Sequence, residues 1–248
     1  MSLGLLGRRL GFGLSIAVLL FVAVLALVPA GTEQTVWEQT VHGARALTIV
    51  VFPAAIISAV TGIALGLMSV RVGGIWDRLV SRSIEILGGF PSILIIPILR
   101  TLAPDAPMYV SVLALAVVRV PESVRSVRAD AARFLFSDAY VALHALGASR
   151  LRSFFMHMLP GSIGGWASAL VANVGVLAGI EAAMAFVGLG ATSASWGTQL
   201  GVAAKSSNVF DAAVAGTALV VFLIAAFYLT STLRRRQAQQ GSKRRLSL

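Results

Sequence analysis

SDAYVALHALGASRLRSFFMHMLP, residues 137–160, is a polar and basic island between two strongly apolar regions. A basic amphipathic segment kept between apolar spans has two destinations: it lies on lipid headgroups, or it touches a protein outside the bilayer. Its helical surface breaks at Gly147-Ala148-Ser149 and closes at Leu159-Pro160. That pattern predicts two short helices forming a docking element.

The flanking regions decide the fold class. Of 248 residues, 57% are hydrophobic and only 12% charged, with a mean hydropathy of +0.88. A soluble domain carries about 25% charged residues, so the composition is that of an all-α, polytopic membrane protein. The lack of cysteine excludes a disulfide framework and a thiolate metal site. The formal charge of +10 raises nucleic-acid binding, but the basic residues punctuate apolar spans instead of lining one face. No nucleic-acid partner is expected.

A hydrocarbon core about 30 Å thick takes roughly 20 helical residues to cross. Five segments reach that length: 10–29, 46–70, 84–102, 163–189 and 212–233. A sixth, 108–120, is short; it spans if Arg119 snorkels to the interface and Pro121 sits at the membrane edge. Charge asymmetry requires it. With six transmembrane helices and both termini inside, Arg8, Arg9, Arg71, Arg78, Arg82, Arg119, Arg125, Arg128, Arg133, Arg150, Arg152, Arg234, Arg235, Arg236, Lys243, Arg244 and Arg245 are cytoplasmic. These are 17 of the 20 basic residues, leaving Arg45, Arg100 and Lys205.

Arg8-Arg9 before an apolar run could introduce a cleaved signal, but that run is longer than the 7–15 residues of a signal core, which favours an uncleaved first span. The expected organisation is a first transmembrane helix over 1–30 with a cytoplasmic N-terminus, one membrane domain over 31–233, and a basic cytoplasmic tail over 234–248. The tail is expected to fray into solvent or lie on anionic headgroups.

The fifth apolar segment is rich in small residues from Ala167 to Ala185, and the second carries Gly62 and Gly66. Small residues let helices approach closely in lipid, either in ordinary packing or along a moving pathway. Gly88, Gly89, Pro91 and Pro97 predict a kinked or unwound third span. Ionisable groups inside a membrane are costly, so Glu181 stands out, with two readings: a hydrogen bond to a neighbouring helix, or a role in a path or gate. Asn173 offers a polar partner within the bundle, and Asn173, Glu181 and Phe186 are the candidates for a path or gate. Glu85 lies near Arg82 at a boundary, where an interfacial ion pair suffices.

No catalytic constellation appears. His42, His144 and His157 form no H-E-x-x-H pair, no metal-ligand set is spaced for binding, and no G-x-x-x-x-G-K-[ST] phosphate loop is present. An enzyme and a bound cofactor are therefore not expected.

Ala145-Leu146-Gly147-Ala148-Ser149, then Arg150 to Met156, then His157-Met158-Leu159-Pro160, resembles the cytoplasmic "EAA" loop of ABC importer permeases. The form is similar to that of the dipeptide, oligopeptide and nickel transporters. Gly31-Thr32-Glu33 and Gly43-Ala44-Arg45 resemble that family's extracytoplasmic segment. The run from Glu181 to Gly190, containing Phe186, and then Ser195-Trp196-Gly197 resemble its fifth-helix signature. The resemblance spans residues 31–233.

It implies a type I importer permease fold in a bacterial inner membrane and a role as half of the translocation path for short peptides. It also implies a second, homologous permease, two nucleotide-binding subunits that hold ATP and Mg²⁺, and an extracytoplasmic substrate-binding protein. The island becomes the ATPase-coupling loop. Tyr140, Leu143, Leu146 and Leu151 are expected as apolar anchors and Arg150 and Arg152 as rim charges, with Gly147 permitting the sharp break between the helices, where a Cβ is costly if φ is positive. Three departures stand out. The family's loop glutamate falls at Val141, followed by Ala142 and Leu143, and the usual arginine falls at His144. The literal E-A-A at Glu181 lies in a span, and the segment between Thr32 and Gly43 is short. Two rivals remain: an importer of nickel, a metal chelate or another small solute, and a self-sufficient channel or carrier using Glu181.

Overall fold

The computed structural model describes residues 3–28, 36–103 and 105–246; within these, the side chains of 3–10, 36, 100, 139, 150, 161, 164 and 237–246 are left aside. The described residues are helical, with no strand among them. Helix α1 (Leu3–Leu25) is followed by α2 (Val36–Ala46), which continues through a π-helical segment (Leu47–Val51) into α3 (Phe52–Val72). Gly73 and Gly74, both at positive φ, turn the chain into α4 (Gly74–Gly89). After a break come α5 (Ile95–Leu102), α6 (Met108–Leu135) and α7 (Asp138–Ala145). Helix α8 (Arg150–Ser153) runs through a second π segment (Phe154–Met158) into α9 (Leu159–Phe186), and α10 (Trp196–Ser206) and α11 (Val209–Leu246) complete the chain.

The principal helices α1, α2–α3, α4–α5, α6, α9 and α11 pack against one another in one bundle. Three are long and apolar enough to cross a membrane as single helices, over Trp37–Val72, Gly165–Phe186 and Val209–Arg236. Helix α1 has a shorter apolar stretch, Gly11–Leu25. The 84–102 segment is no single helix: α4 and the helical turn leading into α5 meet at 72° beside Pro91. The expected kink is there. Segment 108–120 does not stop at Pro121 either. That proline is buried inside α6, a helix of 28 residues whose second half leaves the apolar zone.

Helices α3 and α6 pack most extensively, because α3 offers a face of small residues at Ser58, Gly62, Gly66 and Ser69. A Cβ on Gly62 would stand 2.2 Å from the Cβ of Ser123, and one on Gly66 2.9 Å from Val127. Lipid supplies no hydrophobic drive between helices, so this close approach is what binds the pair.

The two π segments share one cause. Pro53 and Pro160 lack an N–H, so the carbonyl four residues back loses its donor. The residue before each proline reaches five back instead: Phe52 donates to the Leu47 carbonyl and Leu159 to that of Phe154. An α-helix relieved in this way carries one extra residue in a turn. Two expectations are corrected here. Leu159-Pro160 does not close a second short helix, since the segment from Arg150 is the beginning of α9. Nor does the chain fray at Arg234: α11 continues helical through Leu246, and Arg236 sits 3.8 Å over the Phe12 ring of α1.

Candidate functional site

At one end of the bundle, α7 projects from α6. Ser137 caps it, its side-chain oxygen accepting from the Tyr140 N–H at 3.3 Å. Its other end closes in a Schellman turn. The Ala148 N–H donates to the Leu143 carbonyl and the Gly147 N–H to that of His144, both at 3.0 Å, with Gly147 at φ +81°. That conformation costs a residue bearing a Cβ about 1–2 kcal/mol, while the space beside Gly147 is empty. Ser149 then caps the next helix, its oxygen accepting from the Arg152 N–H. Glycine reverses the chain and serine restarts it, so α7 and the start of α9 are joined by a rigid corner.

The corner presents Phe136, Val141, Leu146 and Leu151 to solvent, with Leu146 86% and Phe136 90% exposed. Phe155 and Met156 extend this surface. Tyr140 is not among the exposed anchors. Its ring packs edge-on to Phe134 at 5.6 Å and to His144 at 4.4 Å, bracing α7 against the end of α6. Leu143 is also half-buried, whereas Ala142, Ala145 and Arg152 are exposed. The Arg150 side chain lies outside the described residues. His157 and Pro160 are exposed, Ala148 and Leu159 half-buried, and Ser149 exposed. Phe136 was missed because it precedes the island, although an aromatic next to a helix-capping serine is a local signal.

A charged collar supports this end. Arg128 pairs with Asp77 at 2.8 Å and donates to Ser81 at 2.7 Å, while Ser69 hydrogen-bonds Asp77. Asp130, buried beside Gly165, pairs with Arg133. The glycine hinge at 73–74, α4, α6 and α9 are thereby tied together next to the corner.

Deeper in the bundle lies a network that joins three helices. Asn173 of α9 donates from its amide nitrogen to Ser58 of α3 at 3.0 Å and to Ser123 of α6 at 2.9 Å. Its carbonyl oxygen accepts from Arg119 Nε at 3.0 Å, and the two serines lie 3.2 Å apart. Arg119 therefore does not snorkel to the interface as its position near the end of the apolar run suggested. A partner 54 residues away in sequence holds it inside.

Asn173 and Glu181 stand about 12 Å apart along α9 and belong to different surroundings. Glu181 is 2% exposed, and its Oε1 has no hydrogen-bond partner among the described residues. Around it, α10 folds back onto α9. A Cβ on Gly197 would stand 2.2 Å from the Ala182 carbonyl oxygen, and one on Gly201 2.3 Å from that of Phe186. Ser195 caps α10 through the Thr198 N–H, and Trp196 is buried against Gly43 of α2. Gln199 adds a 2.8 Å bond to the Gln39 carbonyl. Phe186, by contrast, is exposed at the end of α9. Of the segments set out above, 31–33 lies outside the described residues.

Residues 58–239 match the family model described as binding-protein-dependent transport system inner membrane component. The chain belongs to that family. Among relatives, it is 28% identical over 215 residues to a putative peptide permease protein of Brucella ovis, covering 82% of this chain and 69% of the relative. It is 32% identical over 168 residues to the dipeptide transport system permease protein DppC of Alkalihalophilus pseudofirmus, covering 66% and 55%. To the oligopeptide transport system permease protein OppC of Bacillus subtilis the figures are 27% over 165 residues, covering 66% and 54%. The chain thus spans 54% to 69% of the length of these relatives.

Two solved structures share the fold. A chain of the MetNI methionine ABC transporter, inward facing, superposes with a TM-score of 0.59 at 21% identity, over 80% of this permease and 94% of that chain. An amino acid ABC transporter crystallised with histidines gives 0.60 at 18%, over 79% and 90%. The permease has the type I importer fold and is a multi-pass membrane component of a transport system. Within that fold, the fifth-helix signature acquires a structural meaning. Its serine caps α10, its tryptophan wedges against α2, and its glycine admits the α9 backbone.

Proposed function

We propose that this permease is one of two homologous membrane subunits of an ATP-driven importer of short peptides, and that residues 137–160 dock it to a cytoplasmic ATPase. The observation that carries this is the glycine-turned corner with its exposed apolar row, Phe136, Val141, Leu146 and Leu151. Such a row, exposed at the end of a membrane bundle, suits a groove in a soluble partner. The basic residues gathered at that end support a cytoplasmic placement of the corner and of both termini.

The helical continuity from Arg150 into α9 supports a direct transmission path. A push on the corner would tilt α9, which carries Asn173 against α3 and α6 and Glu181 against α10. Two ATPase subunits would bind ATP and Mg²⁺, and their closure would draw this corner toward its counterpart on the partner permease. An extracytoplasmic binding protein would deliver the cargo. The names of the relatives support peptides over nickel, and the family membership weighs against a self-sufficient channel.

Vesicles holding the assembled importer test the reading. ATP-dependent uptake of a tripeptide that requires this chain supports it, whereas uptake by this chain alone, without an ATPase, refutes it.

A further inference from the structure

Arg119 is the one charged residue in the apolar half of α6 (Met108 to Val120), and only part of it is used. From Met108 the helix climbs about 16 Å before reaching it, so the guanidinium belongs to the interior of the bundle's length. Its Nε is held by Asn173, and that amide is itself fixed by Ser58 and Ser123. The outer fork of the guanidinium, Nη1 and Nη2, has no hydrogen-bond or ion-pair partner among the described residues. Glu122, one turn on, lies 4.0 Å from Arg125 and acts on Arg119 at longer range, as does the like charge of Arg234.

The direction of Arg119 matters as much as its depth. Tyr109, Leu113 and Val117 form the exposed apolar stripe of α6, at four-residue spacing. Arg119 follows Val117 by two residues, about 200° around the helix, and so shares a face with buried Ser123. The side chain is half-buried, neither sealed in the core nor turned to the apolar stripe. An unpaired guanidinium is too costly to leave in hydrocarbon, which assigns this face to a wet path or to a charged partner.

We propose that Arg119 is a carboxylate-binding residue of the translocation path, its free fork receiving the C-terminal carboxylate of the peptide cargo while Asn173 holds its Nε. The inference rests on the peptide reading given above. The guanidinium is planar, so Nη1 and Nη2 present parallel N–H bonds that meet the two oxygens of a carboxylate, and the Nε bond to Asn173 sets the direction of that fork. The buried network acts as the mount for this fork. Lysine in the same place would keep the charge and lose the two-point fit.

The chain has no cysteine, so a single introduced thiol reports its surroundings cleanly. In the assembled importer, Arg119→Cys is expected to react with a charged, membrane-impermeant methanethiosulfonate added from the cytoplasmic side. Reaction with a lipid-soluble maleimide alone, or none, overturns the proposal, because the side chain would then face lipid or a carboxylate of the partner permease. In uptake, the wild type is expected to favour trialanine over its C-terminal amide by about tenfold. Arg119→Gln should abolish that preference and Arg119→Lys should reduce it. An unchanged preference in both variants overturns the proposal and leaves the peptide reading intact. Wild-type vesicles that take up neither ligand overturn both together.

Discussion

Trp196 lies against the bare backbone of Gly43, so closely that a Cβ there would stand 1.9 Å from the indole Cδ1. This contact fastens α10 to α2 across a gap of about 150 residues, far from the solvent-exposed corner. Gly43→Ala is expected to destabilise the purified permease by about 1–3 kcal/mol, the usual cost of forcing a methyl into a filled site. Adding Trp196→Phe, which shortens the ring, should recover part of the loss. Strictly additive losses in thermal or denaturant unfolding would show that the two residues do not touch.

Asn173 uses both amide hydrogens and its oxygen within one buried network. Truncating it leaves two serines and an arginine Nε to be satisfied elsewhere. Asn173→Ala should therefore cost about 1–3 kcal/mol in denaturant unfolding, and Ser58→Ala about 0.5–1.5 kcal/mol. The double variant should lose less than the sum, since both act through the same bonds.

What could be read in the residues, and what could not, follows the range of each interaction. The turn at Gly147 was legible because a left-handed glycine between a helix and a capping serine is a local event. The break at Pro91 was legible for the same reason. The partner of Arg119 was not, since nothing near it in the chain marks a hydrogen bond to Asn173. Pro160 misled in another way. Proline normally ends a helix, but a π turn ahead of it absorbs the missing N–H, so α9 begins nine residues earlier in effect, at Arg150. The exposed apolar row was half legible: Leu146 and Leu151 face outward, whereas Tyr140 turns in to brace α7.

That difference between neighbours can be measured. Leu146→Asp and Phe136→Asp should leave the unfolding midpoint of the permease unchanged and weaken its capture of the ATPase. A hot-spot loss of about 2 kcal/mol corresponds to roughly thirtyfold in affinity. Tyr140→Ala should instead lower the midpoint, because it removes two ring contacts inside the structure. If Tyr140→Ala weakened only ATPase capture, the assignment of its ring to the interior would be wrong.

Gly147 separates strain from bulk. Apart from its own chain neighbours, no atom lies within 4 Å of where its Cβ would stand, so the positive φ is what penalises a substitution. Asparagine, which tolerates that region, should preserve coupling, whereas valine should not. The expected readout is ATP hydrolysed per peptide taken up: near the wild-type ratio for Gly147→Asn and several times higher for Gly147→Val. A Gly147→Trp variant that transports normally would remove the corner from its proposed role.

Pro160 offers a separation of stability from function. Pro160→Ala restores the missing N–H and permits the turn over Phe154–Met158 to relax from π to α geometry. Losing the extra residue of that turn rotates everything ahead of it by about 100° relative to α9. The corner at Gly147 lies ahead of it, so its apolar row would be re-aimed while the body of the bundle stayed in place. The variant is expected to melt at or above the wild-type temperature and yet couple poorly to the ATPase. Hydrogen exchange at Met156 to Leu159 should slow as regular helix bonds form. A variant that melts lower, or that couples as well as the wild type, would mean that the π turn does not set the direction in which the corner faces.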